Sequence, residues 1–151
     1  MRLESLLYAA LNPVMTALLR SPIHGIASAN LCIFSYRGRR TGKSYSTPLS
    51  FMREGSIVRL LSSHNTRWWK NFLNGPVAVD IEIGRKTFFG KAQTTVEDSE
   101  AFRNGVRTFL TDVPRDARVY GIKLDSNRRP REEDIARAAG HVVLVEVELS
   151  N

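Results

Sequence analysis

One stretch limits what this chain can become: residues 36–49, which read YRGRRTGKSYSTPL. Apolar, strand-like runs flank it, ANLCIF over 29–34 and PLSFM over 48–52. Four cationic side chains, Arg37, Arg39, Arg40 and Lys43, fall within seven positions and alternate with Gly38 and Gly42. Glycine lets a backbone turn tightly and approach a ligand closely. Arg and Lys at such a turn hold phosphate or carboxylate through charge-assisted hydrogen bonds. The stretch therefore predicts a hairpin whose tip is either an anion clamp or a solvated basic turn.

The strand pattern extends along the chain. Strands are expected over 29–36, 44–53, 56–62, 77–83, 86–96 and 141–149, the first three as an antiparallel meander joined by short turns. In VAVDIEI, Asp80 and Glu82 fall on the face opposite Val79 and Ile81. Between the third and fourth strands, SHNTRWWKNFLNG predicts a short helix with Asn65 or Thr66 as N-cap, ended by Asn74-Gly75. Adjacent side chains on a helix point in different directions, so one of Trp68 and Trp69 is core and the other is free to sit at a pocket. A helix is expected over 97–110, with Glu97, Asp98 and Glu100 in its first turn. Residues 111–129 read as irregular, and 131–139 as a further short helix ended by Gly140. The fold class is mainly β with peripheral helices (α+β): a small antiparallel β-barrel of about six strands.

At 151 residues, with no internal repeat or linker, the chain reads as one domain over 1–151. Residues 1–20 carry apolar side chains at helical spacing around Pro13. This helix is too short and too interrupted to span a bilayer. It either packs on the barrel or lies on a membrane surface. Cys32, the single cysteine, sits in an apolar run and reads as core, and His24, His64 and His141 show no metal-ligand spacing, so no metal is expected. Without a signal-peptide layout, the expected location is cytoplasmic, with peripheral membrane contact as the variant. The net charge of +7 favours acidic partners. The basic residues are nonetheless dispersed, and no nucleic-acid-binding signature accompanies them. Electrostatic attachment to nucleic acid or anionic membrane is the weakest reading, and no specific nucleic acid is expected.

Gly38-Arg39-Arg40-Thr41-Gly42-Lys43, Thr47-Pro48-Leu49, Ser62-Ser63 and Trp68…Asn71-Phe72…Pro76 follow one another across residues 31–92. Taken together they resemble the deazaflavin (F420)-dependent nitroreductase family, whose pattern runs G-R-x-[ST]-G-[KRQ], T-P-L, S-x and W-x-x-N-L-x-x-N-P. The resemblance implies a split β-barrel of the flavin-mononucleotide-oxidase type. It further implies F420 as cofactor, with FMN as the alternative. On that match Arg39, Arg40 and Lys43 bind the anionic tail in a turn formed with Gly38, Thr41 and Gly42. Thr47, Pro48 and Leu49 line the ring system, Ser62, Ser63 and His64 flank it, and Trp68 with Asn71 closes the site. The chain departs from the pattern in its short 63–67 loop, which lacks the family's His-Pro, and in having Phe72 for leucine and Gly75 for asparagine.

The implied function is an oxidoreductase passing hydride from reduced F420 or flavin to a small nitroaromatic- or quinone-like acceptor. A cofactor carries such chemistry, so no catalytic triad is expected. Tyr120, Ser63 and His64 are the candidate proton donors. The competing reading is a non-enzymatic barrel that binds a flavin, lipid or other hydrophobic anion. A homodimer is expected from the resemblance alone.

Overall fold

The computed structural model describes residues 30–150. The amphipathic segment expected over 1–20, with its proposed membrane contact, lies outside the described residues. Seven strands form one antiparallel sheet in the order β2-β1-β5-β6-β7-β4-β3. They are β1 (Leu31–Arg37), β2 (Ser44–Ser50), β3 (Met52–Glu54), β4 (Ile57–Ser63), β5 (Val77–Ile83), β6 (Lys86–Thr95) and β7 (Val142–Leu149). The strand expected over 44–53 is interrupted at Phe51. Its first part pairs with β1, from Leu31↔Ser50 to Arg37↔Ser44, and its last part pairs with β4. Consecutive residues thus supply both edges of the sheet, which curls into a split barrel. Pro48 lies in the edge strand β2, where its missing N–H costs no ladder bond.

Period-two alternation sorts the strands into two apolar layers. Cys32, Phe34, Val58, Leu60, Val79, Ile81, Val143, Val145 and Val147 fill the inner cluster. Asp80 is exposed and Glu82 half-buried, while Val79 and Ile81 are buried. The other faces of β4 and β7 present Leu61, Val142 and Leu144 to the helix α1 (Glu100–Asp112), through Phe102, Val106, Phe109 and Leu110. Arg59, on the same outer side, is only 5% exposed and is bracketed by Glu146 at 3.0 Å and Glu54 at 3.1 Å.

The ends of α1 differ from expectation for a local reason. Ser99 is its N-cap, accepting from the Phe102 N–H at 3.0 Å, so the helix starts at Glu100 instead of residue 97. Asp98 turns aside to a two-bond pair with Arg103 at 2.7 and 2.8 Å. Residues 111–129 are not wholly irregular, because Pro114–Tyr120 forms a 3-10 turn closed by Gly121. The helix expected over 131–139 is α2 (Glu132–Ile135) followed by the 3-10 turn Ala138–Gly140.

Candidate functional site

The β1–β2 hairpin tip has the geometry its sequence suggests. The Gly38 N–H donates to the Lys43 carbonyl at 2.8 Å, and the Gly42 N–H to the Gly38 carbonyl at 2.9 Å. Gly42 holds φ +69°, which an L side chain rarely adopts. The Lys43 N–H reaches Thr41 Oγ1 at 3.2 Å. A Cβ on Gly38 would stand 3.0 Å from the Tyr45 ring, so a methyl group there would displace the ring. Tyr45 in turn stacks on Tyr36 across the hairpin, with centroids 5.4 Å apart.

The second wall is Trp68–Phe72, a 3-10 turn rather than an α-helix, and neither Asn65 nor Thr66 caps it. In 3-10 geometry, side chains three apart eclipse one another. Residues 67–72 obey that rule: Trp69 and Phe72 enter the core, while Arg67 with Lys70 and Trp68 with Asn71 line an open cleft. Trp69 is therefore the core tryptophan, its carbonyl taking the Thr94 hydroxyl at 2.6 Å, and Trp68 is the pocket tryptophan.

The cleft between these walls has a volume of about 550 Å³ and is lined by Tyr36, Gly38, Arg39, Arg40, Thr41, Tyr45, Arg67, Trp68, Lys70 and Asn71. Four of these residues are cationic and none is acidic. Three aromatic rings complete the wall. Such a site suits a ligand that combines a planar ring with phosphate or carboxylate groups. Trp68 is held by a donor chain, its Nε1–H reaching Ser62 Oγ at 3.0 Å and Ser62 meeting Thr66 Oγ1. Thr66 Oγ1 also donates to the Ser63 carbonyl at 2.9 Å, which closes the short 63–67 loop.

Of the residues singled out by sequence, Gly38, Arg39, Arg40, Thr41, Trp68 and Asn71 line this cleft. Gly42 and Lys43 complete the turn beside it. Thr47, Pro48 and Leu49 lie on edge strand β2 and are half-buried. The pleat puts Thr47 and Leu49 on the face of Phe34 and Cys32, and Pro48 on the opposite face with Ile33. Ser62 is buried behind Trp68 instead of lining the cleft. The His64 ring is exposed and packs edge-on against Trp69 at 5.6 Å. The Tyr120 hydroxyl donates to the Leu61 carbonyl at 3.0 Å, and Tyr120 is not a cleft residue. Tyr36, Tyr45, Arg67 and Lys70 escaped the sequence reading. The three-residue spacing of Arg67 with Lys70 and of Trp68 with Asn71 was the available signal.

A second hollow, of about 570 Å³, lies beside α1 and α2, with Arg107, Arg129 and Arg131 set against Asp125, Glu132 and Glu133. Arg107 donates twice to Glu132, at 2.6 and 2.7 Å, and these bonds hold the Glu132 carboxyl below its ordinary range. Its charges balance, so it lacks the excess positive charge of the first cleft. Among the described residues no group of His, Cys, Asp and Glu is placed to hold a metal ion. No helix among them is long and apolar enough to cross a membrane.

A family model described as F420H(2)-dependent quinone reductase matches residues 21–123. A solved F420-H2 dependent reductase (FDR-A) superposes with a TM-score of 0.55 at 17% identity, covering 79% of this chain and 94% of that one. A NimC/NimA family protein from Clostridium acetobutylicum gives 0.52 at 12% identity, covering 81% and 76%. A FAD-binding protein from Mesorhizobium loti gives 0.50 at 11%, covering 87% and 91%. These likenesses establish the fold. No curated protein sequence matches the chain.

Proposed function

The chain belongs to the F420H(2)-dependent quinone reductase family, and from that premise we propose that it is an oxidoreductase that uses F420 to reduce a small quinone- or nitroaromatic-like acceptor. The observation that supports this reading is the cleft itself, with four cations, three aromatic rings and no carboxylate. When bound in its reduced form, F420 would supply the hydride and be left oxidised. The protein supplies position and electrostatics. Arg39 and Arg40 from the hairpin tip, with Arg67 and Lys70 from the facing turn, hold the anionic tail, and Lys43 adds charge beside them. Trp68 and the Tyr36–Tyr45 stack bound the aromatic part and exclude water from one side of it. Thr47 and Leu49, on the Tyr36–Tyr45 face of the pleat, extend this surface along the edge strand, whereas Pro48 points to the opposite face. An acceptor that takes hydride also takes a proton. Of the candidates Ser63, His64 and Tyr120, none of which lines the cleft, we assign His64, whose exposed imidazole just after β4 is open to solvent protons; the Tyr120 hydroxyl donates to the Leu61 carbonyl.

The test is a fluorescence titration with F420 and with FMN, on wild type and on the Arg39→Glu/Arg40→Glu double variant. F420 should bind saturably and in preference to FMN. Each charge-assisted bond lost is worth about 1.5–3 kcal/mol, so the double variant should weaken F420 by at least about tenfold. Unchanged affinity in the double variant would remove the clamp. Binding without turnover of any quinone or nitroaromatic would reassign the chain as a cofactor-binding protein.

A further inference from the structure

Asn71 makes a contact that neither anion binding nor the aromatic wall requires. Its Oδ1 accepts the backbone N–H of Arg39 at 2.8 Å, and its Nδ2 donates to the Trp68 carbonyl at 2.8 Å. The hairpin's own bonds run from the N–H groups of Gly38, Gly42 and Lys43. They leave the Arg39 N–H to an acceptor 32 residues away. The carboxamide can sit in only one sense, because a flipped amide would set N–H against N–H and oxygen against oxygen. Aspartate would keep the acceptor and lose the donor, and leucine would lose both.

This side chain therefore joins the two segments that carry the cleft's cations: Arg39 and Arg40 on one, Arg67 and Lys70 on the other. We propose that Asn71 is a positioning residue that fixes the spacing of these two cationic segments, and so selects for a ligand whose anionic tail reaches both. The proposal rests on the reading of the cleft as the F420 site. It assigns Asn71 no contact with reacting atoms. Its contribution passes through the Arg39 backbone.

Two measurements on wild type, Asn71→Leu and Asn71→Asp test it. The first is hydrogen exchange of the Arg39 amide in ligand-free protein. The second is affinity for F420 and for the same deazaflavin stripped of its phosphate-bearing tail, both read by fluorescence. In Asn71→Leu the Arg39 amide should exchange faster and F420 should bind about tenfold more weakly, the loss of one well-placed bond. The stripped ring should bind that variant as it binds wild type. Asn71→Asp should keep the Arg39 amide slow, which keeps the crosslink testable if the leucine variant does not fold. Equal weakening of both ligands, or Arg39 exchange as fast in Asn71→Asp as in Asn71→Leu, would overturn the proposal. Unchanged F420 affinity in Asn71→Leu would overturn it while leaving the function intact. Failure of wild type to bind either deazaflavin would overturn both.

Discussion

Cys32 shows what burial does to a single side chain. It is fully enclosed in the inner cluster, and desolvation pushes its thiol up from an ordinary 9.0 to about 12. The folded value lies above the unfolded one, so its contribution to stability is complete below pH 9 and is lost as pH rises towards about 12. Urea denaturation of wild type and Cys32→Ala on either side of pH 9 should show the steeper alkaline loss in wild type. Parallel curves would mean that the thiol is more accessible than its surroundings imply. The apolar run ANLCIF made this residue legible as core. The tryptophan pair was legible only as a choice, because two adjacent rings cannot share one direction. Which ring entered the core depended on the helix type, and five residues without a side-chain cap carry too little periodic signal to settle that.

At the scale of elements, two glycines mark close approaches, Gly90 between neighbouring strands and Gly105 between helix and sheet. A Cβ on Gly90 of β6 would sit 2.6 Å from the Glu148 backbone oxygen on β7, and backbone cannot yield cheaply. A Cβ on Gly105 of α1 would meet Leu144 Cδ2, the movable end of a side chain. Gly90→Ala should therefore cost about 1–3 kcal/mol as overpacking. Gly105→Ala should cost less, since alanine recovers about 1 kcal/mol of helix propensity. Thermal denaturation of the two variants compares them, and an equal loss would mean that β6 and β7 can slide apart. The strands themselves were legible because each is short, alternating and bounded by turn residues. The break at Phe51 was not legible, since PLSFM continues the apolar pattern through it and only pairing with two different neighbours reveals the division. The early start expected for α1 followed from three acids at its beginning, yet the Ser99 hydroxyl, which accepts the Phe102 N–H, made the better cap.

Over the whole molecule, a net charge of +7 surrounds a cleft that carries four more cations than anions. Such a field raises encounter rates for anionic ligands and is screened over a Debye length of about 10 Å at 0.1 M salt. Stopped-flow association of F420 should slow by about tenfold between low and high salt. Association of a neutral quinone should hold constant. A salt-independent F420 rate would show that the clamp acts only after contact. The excess charge was visible in the sequence, but its focus was not, because Arg67 and Lys70 lie some thirty positions from the basic turn that they face. Only the fold brings those segments together.

One consequence concerns how the barrel would yield to force. Because β2 and β3 are a single run bent at Phe51, the sheet's two margins are tied to each other by covalent bonds, like the ends of a hoop. Tension on one margin is therefore passed through the bend to the other. A single cut at the bend would turn the hoop into a strip with two loose ends.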